Sequence, residues 1–316
     1  KDARAGLTAL LDAAATRAAA ADALAQALRT TKDGAGVLDL LPARLAEATD
    51  DRTRLALLRE AAQLRLEHKH DAAGALADLA RAFPLAPRDQ LIENQLQSLA
   101  RTTGDYTQLG IAYLEAINAL GGKAEDKREA ARLRLAFADL AAEHLNDPAQ
   151  AAEAYHQVID AEPGNRRPVQ AFATLGSRLG RWADVANAVV RHASVREAFD
   201  DELLSILESA AQQSDANDAL ATALATALGT FRLSGAVAAQ LHYRLAALHR
   251  DRRKDKAAAV ASLRTALELG GERLDWLQEV VALEREVCDP QGPGSGAVAG
   301  AGGPGGSAPN GASPQL

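Results

Sequence analysis

Small and apolar positions recur along this chain in one order: a small residue, a second small or apolar residue seven places on, and a helix stop five places after that. In KHDAAGALADLARAFPLAPRD these are Ala75, Ala82 and Pro87. In LNDPAQAAEAYHQVIDAEPGNR they are Ala151, Val158 and Pro163, each 76 residues further along. KDKAAAVASLRTALELGG keeps the spacing with Ala259, Ala266 and Gly271, offset by 108 from the second copy. Seven residues are two helical turns, so both small side chains face the same neighbour and predict a close helix approach. Pro87 and Pro163 stand where the helix must end, because proline cannot continue it and restricts the residue before it. GDY at 104–106 and GRW at 180–182 recur at the same 76-residue offset.

The pattern predicts helix pairs. Aligned on the small residues, units begin near Ala21, Ala56, Gln90, Arg132, Arg166, Asp200, Gln240 and Leu274, at intervals of 35, 34, 42, 34, 34, 40 and 34. The two long intervals contain GGKAEDK at 121–127 and GTFRLSG at 229–235, which predict loop insertions between units. No long Val/Ile/Thr run alternates with period two, so an all-α solenoid is expected rather than a sheet. Aromatic residues make up 3% of the chain. Each helix therefore buries modest area, and stability has to accumulate through interfaces between neighbouring units.

With this period and this small, small, proline signature, residues 21–287 resemble the tetratricopeptide repeat family. The resemblance implies a right-handed superhelix of about seven helix-turn-helix repeats over residues 1–287. It also implies a non-catalytic scaffold that holds a protein or peptide in a concave groove lined by the first helices. In the family, ligands are touched from the second, fifth, ninth, twelfth and thirteenth places of a unit. Those places are Leu57, Glu60, Leu64, Glu67 and His68 in one unit. They are Leu133, Ala136, Leu140, Glu143 and His144 in another, and Leu241, Arg244, Leu248, Asp251 and Arg252 in a third. Leucine recurs at the second and ninth places of all three. Two readings of that stripe stand side by side: packing against the adjacent helix, or an apolar groove floor for an amphipathic or extended peptide. The acid followed by His or Arg at the last two places is either a mixed-charge rim or ordinary helix C-terminal chemistry. The family's lysine and asparagine clamp for a terminal carboxylate is missing from all fifteen places.

Charge narrows the partners. The formal net charge is −7 and no extended Lys/Arg block occurs, so no nucleic-acid partner is expected. RDRRKDK at 250–256 is the one basic stretch and predicts a solvated helix end. Arginine far outnumbers lysine, which together with the alanine content points to GC-rich bacterial coding. Cys288 is the only cysteine, which excludes an intrachain disulfide and a thiolate metal cluster. No run of eighteen apolar residues occurs, so no membrane insertion is expected. The chain opens on Lys1 and contains no methionine, so a natural start upstream is expected. The cytoplasm is the expected compartment, with the periplasm left open. From Cys288 the composition turns to Gly, Ala, Pro and Ser, and 288–316 is expected to be a disordered linker or tail.

Catalytic chemistry is hard to assemble from these residues. His68 and His70 are two apart and fall on different helix faces, while His242 and His249 share a face without a third ligand. Gly121-Gly122-Lys123 and the tail glycines lack the strand-to-helix context of a phosphate loop. No catalytic, cofactor-binding or metal-binding residue is named, and no enzyme activity is expected. Two alternatives to the scaffold remain: a regulatory or spacer arm of a larger enzyme such as a signalling kinase, and a structural element of an envelope or motility assembly.

Overall fold

The computed structural model describes residues 8–11, 14–271 and 273–288. Among them there are helices and turns and no strand, and the chain is an all-α solenoid. The first three helices are α1 (Ala14–Thr30), α2 (Gly34–Asp39) and α3 (Leu41–Glu47). They are followed by α4 (Asp51–Leu64), continued by a π turn at Arg65–Lys69, and α5 (Ala72–Ala82), continued by a 3₁₀ turn at Phe83–Leu85. Next come α6 (Gln90–Thr103), α7 (Tyr106–Ala119), α8 (Ala124–Glu143), α9 (Pro148–Ala161), α10 (Arg166–Arg178) and α11 (Trp182–Arg196). The series ends with α12 (Asp201–Gln213), α13 (Asn217–Thr230), α14 (Gly235–Leu248, with a π turn at His249–Arg253), α15 (Lys256–Gly270) and α16 (Leu274–Cys288). Cys288 thus closes the last helix rather than opening the expected tail, whose remaining residues lie outside those described.

One local motif pairs the helices. Between each first helix and its second, a single residue adopts the left-handed conformation: Lys32, His70, Gly104, Asn146, Gly180, Asp215 and Lys254, with φ from 50° to 75°. After five of these seven comes an aspartate whose carboxylate accepts the backbone N–H three residues on, namely Asp33, Asp71, Asp105, Asp147 and Asp255. The left-handed residue ends one helix and the aspartate starts the next, which satisfies orphan backbone groups on both sides of a very short turn. Gly104 and Gly180 occupy this place in GDY and GRW, where a side chain would be strained.

Packing follows the repeat. The spaced small residues Ala75, Ala82, Ala151, Val158, Ala259 and Ala266 are each at most 1% exposed, as their close-approach reading requires. Every substantial helix contact joins elements one or two places apart in the chain. One apolar cluster nevertheless runs unbroken from Ala62 in α4 to Leu248 in α14.

The two expected loop insertions are only partly loop. α8 already begins at Ala124 and α14 at Gly235, so only residues 120–123 and 231–234 form the connections. First helices in the units counted from 56, 132 and 240 therefore start five to eight residues earlier, at Asp51, Ala124 and Gly235. The extra residues lengthen a helix because they include good helix formers and gain i to i−4 hydrogen bonds by doing so.

Arginine has a structural use. Arg29 and Arg44 bind Glu60, Arg59 binds Asp89, Arg88 binds Asp126 and Arg132 binds Glu93. Arg167 binds Asp139, Arg166 binds Asp200, Arg244 binds Glu208, Arg253 binds Asp218 and Arg250 binds Glu279. Apart from Arg44 these partners lie 28 to 39 residues apart, one unit in each case. The basic stretch 250–256 is therefore a set of neighbour contacts rather than a merely solvated end. Most of these groups keep partial exposure, so each pair contributes only about 0–1 kcal/mol.

Candidate partner-binding face

Two polar relays define the surface between successive first helices. In the first, the Tyr113 hydroxyl of α7 donates to Glu93 of α6 at 3.2 Å and accepts from Gln97 at 2.8 Å. Glu93, buried, takes Arg132 of the following first helix through two bonds of 3.1 and 2.7 Å. The second repeats this design one unit later: Tyr155 of α9 donates to Asp139 of α8 at 2.7 Å, and Arg167 of α10 binds the other oxygen at 2.7 Å. Burial, reinforced by the Glu93 charge, pushes the Tyr113 phenol up to about 12. Burial and then Asp139 raise Tyr155 as well. Both phenols stay neutral donors at physiological pH and hold the two carboxylates in place.

Between the relays lies a cleft of about 300 Å³, lined by Gln97, Arg101, Tyr106, Leu109, Tyr113, Ala136, Asp139, Leu140, Glu143 and His144. Tyr106, the first residue of α7, stacks on His144 with ring centroids 3.9 Å apart and planes within 3°. Arg101 and Glu143 are exposed at the C-terminal ends of α6 and α8. A second cleft, of about 550 Å³, lies between α10 and α12. Its walls carry Thr174, Ser177, Arg178, Glu202, Ser205, Ile206, Ser209, Ala210, Gln213 and Ser214. Thr174, Ser177 and Ser214 turn their hydroxyls onto their own helix carbonyls, Ser205 accepts from Arg244, and Ser209 is exposed.

The fifteen places carried over from the family separate into three groups. Leu57, Leu133, Leu140, Leu241 and Leu248 are between 0% and 7% exposed, so five of the six recurring leucines pack between helices and offer little surface as a groove floor. Glu60, Leu64, Ala136 and Arg244 are half-buried, and Glu60 and Arg244 are taken up by pairing between units. Glu67, His68, Glu143, His144, Asp251 and Arg252 are exposed. Glu67 accepts from Gln63 at 2.8 Å, Asp251 pairs with Arg250, and His68 lies so close to Gly34 that a Cβ there would fall 2.2 Å from its ring. Only the middle unit brings its places together, with Ala136, Leu140, Glu143 and His144 all lining the first cleft. Arg244 touches the second cleft through Ser205 at 3.3 Å.

Sequence reasoning missed Gln97, Arg101 and Tyr106, and the whole wall of the second cleft, because these belong to units with weak repeat signatures. Tyr106 did carry a signal, as the aromatic of GDY matched by Trp182 in GRW. Ser205 and Ser209, four apart on one helix face, were another.

Among the described residues no group of His, Cys, Asp or Glu could hold a metal ion, and no helix is long and apolar enough to cross a membrane. His242 and His249 are each held below the usual histidine range, chiefly by burial, and in His249 also by Arg253. His249 shares a 2.8 Å contact with the Arg253 guanidinium.

No family model matches the sequence, and no curated protein matches it. Among solved structures, the chain is similar to a tetratricopeptide repeat protein from Parabacteroides merdae ATCC 43184. That similarity covers 88% of this chain and 98% of the other, at 12% identity and a TM-score of 0.30.

Proposed function

We propose that the chain is a protein-interaction scaffold of tetratricopeptide-like helix pairs, holding a peptide or protein segment across the first-helix face. The observation that supports this most is the pair of open clefts between successive first helices, α6/α8 and α10/α12. The relays fix α6, α8 and α10 relative to one another, while Arg101, Glu143 and Ser209 are exposed at the cleft edges. A preorganised surface of this kind lowers the entropy cost of ordering a flexible ligand. Half-buried Ala136 and Ile206 then accept side chains, and the exposed polar groups select among them.

The test is site-specific photocrosslinking in native extract, with the reactive residue at Ala136 or Ser209 and, as control, at Gln157 on the outer surface of α9. One protein captured from both cleft positions and not from Gln157 supports the scaffold. Equal capture at all three overturns it. A spacer arm is the second reading, favoured by the ion pairs that join most units to the next. It predicts no capture from either cleft.

A further inference from the structure

Second helix α11 breaks the repeat at one position. Eleven residues after the N-cap place, the other second helices carry Ala82, Ala116, Val158, Ala227 and Ala266, each at most 1% exposed. In α11 that place, counted from Arg181, is His192, and it is 4% exposed. Packing alone asks for a small side chain there, and a buried imidazole costs free energy unless its ring nitrogens are matched. Nδ1 is matched by the Pro163 carbonyl at 2.8 Å. A carbonyl oxygen only accepts, so Nδ1 carries a proton and Nε2 is left without a partner.

His192 lines a cavity of about 400 Å³ between the turn at 164–166, the last turns of α11 and the connection at 198–200. Its size is that of a small-molecule site. Arg196, four residues on and therefore on the same helix face, lines it too. A Cβ on Gly164 would lie 3.8 Å from Arg196 Cδ, so the arginine side chain runs along the turn. Arg196 is exposed and, among the described residues, pairs with no carboxylate. The acid of the cavity is already engaged: Asp200 accepts from Arg166 at 2.7 and 3.4 Å and from the Leu203 amide at 3.1 Å. Phe199 supplies an apolar wall. One guanidinium and one ring nitrogen are left unmatched.

We infer that this cavity is a binding site for a small phosphate ester, whose phosphate is held by Arg196 and by Nε2 of His192. Phosphate suits both groups. Arginine takes phosphate oxygens through paired N–H bonds. A phosphate that keeps one proton donates its O–H to Nε2 of the neutral ring, while its oxygens accept from the charged ring, so the bond exists in either state. An ionised carboxylate has no proton to give and satisfies only the charged ring. Phe199 then meets the organic part of the ester. The cavity shares no lining residue with the two clefts, and the site stands independently of the function proposed for them.

The test titrates the full chain with glycerol phosphate and, separately, with a short phosphoserine peptide, read by calorimetry and by the His192 signal in proton–nitrogen spectra of the histidine rings. The variants are H192A, which restores the small residue of the other second helices, and R196A. Saturable binding of glycerol phosphate that moves the His192 Nε2 resonance is expected, and each variant should weaken it about tenfold or more, the worth of one charge-assisted bond. Unchanged circular dichroism melting shows that the variants fold. Should H192A melt early, R196A, at an exposed position, carries the test. No saturable binding, or equal affinity in all three chains, overturns the inference. Tighter binding of the peptide than of glycerol phosphate overturns it as well, since the occupant would then be a phosphorylated partner protein.

Discussion

Long and short units differ in their first helices rather than in their second. α4 and α14 each carry 14 residues plus a five-residue π turn, and α8 carries 20. The short counterparts α6, α10 and α12 have 14, 13 and 13. All three long helices belong to the units whose second helices hold the regular Ala-to-Ala or Ala-to-Val spacing. The lesson is that length is absorbed where the helix has a free end. The second helix is fixed by its aspartate cap at one side and by close small-residue contact along its length, so added residues extend the first helix at its start or widen it into a π turn near its end. At the start of α8 the extension is useful: Asp126 reaches Arg88, from the turn before α6, at 2.5 Å.

Substitutions in the two kinds of unit sharpen this contrast. The largest effect is expected for Leu140→Glu in α8, which places a carboxylate at a position 7% exposed and lowers stability by about 3–5 kcal/mol in denaturant unfolding. Leu64→Glu, half-buried at the end of α4, is expected to cost less than half as much. Equal losses would mean that the two first helices are buried alike. Ala151→Leu, at a fully buried position of a long unit, lowers stability by about 1–3 kcal/mol through overpacking. An unchanged melting temperature would contradict the packing described for α9.

Smaller effects test the turns. Gly104→Ala in a short unit strains a left-handed residue and costs about 1 kcal/mol, whereas His70→Gly in a long unit relieves one and stabilises by a few tenths. The two shifts in melting temperature should have opposite sign. The smallest effect is that of pH. Burial depresses the His249 pKa, so folding favours the neutral ring, and the associated stability is complete above the unfolded value near 6.5. It declines as pH falls from there through the lower folded value. Melting followed from pH 8 to 5.5 should therefore show a drop that is shallower in His249→Gln. Asp71, held low by the Gly74 amide and then by Arg65, contributes in a separate window. Its part is present above about pH 4 and is lost on further acidification.

The second helices were legible because their signal is steric: Ala75, Ala151 and Ala259 have no substitute where two backbones approach closely. First helices were legible only in phase. Their core residues vary with what the neighbour presents, as with Glu93 facing Tyr113 in one unit and Leu203 buried in another. The left-handed turn was present in the sequence as KD, HD, GD, ND and KD, yet its residues share a backbone conformation rather than a side chain. Cleft residues such as Gln97 and Ser209 left the weakest trace, since being outside the core imposes no periodicity on them.

The arginine pairs give the chain mechanical properties. Each joins one unit to the next beside a stretch of apolar contact, so bending or twisting the array must lengthen several of them together. Most are partly exposed, and their attraction weakens as the screening length shrinks from about 10 Å at 0.1 M salt to about 3 Å at 1 M. The chain should therefore behave as an elastic rod whose stiffness falls with ionic strength while its helix content stays constant. Scattering profiles recorded across that range would show the maximum dimension spreading as the rod becomes more compliant.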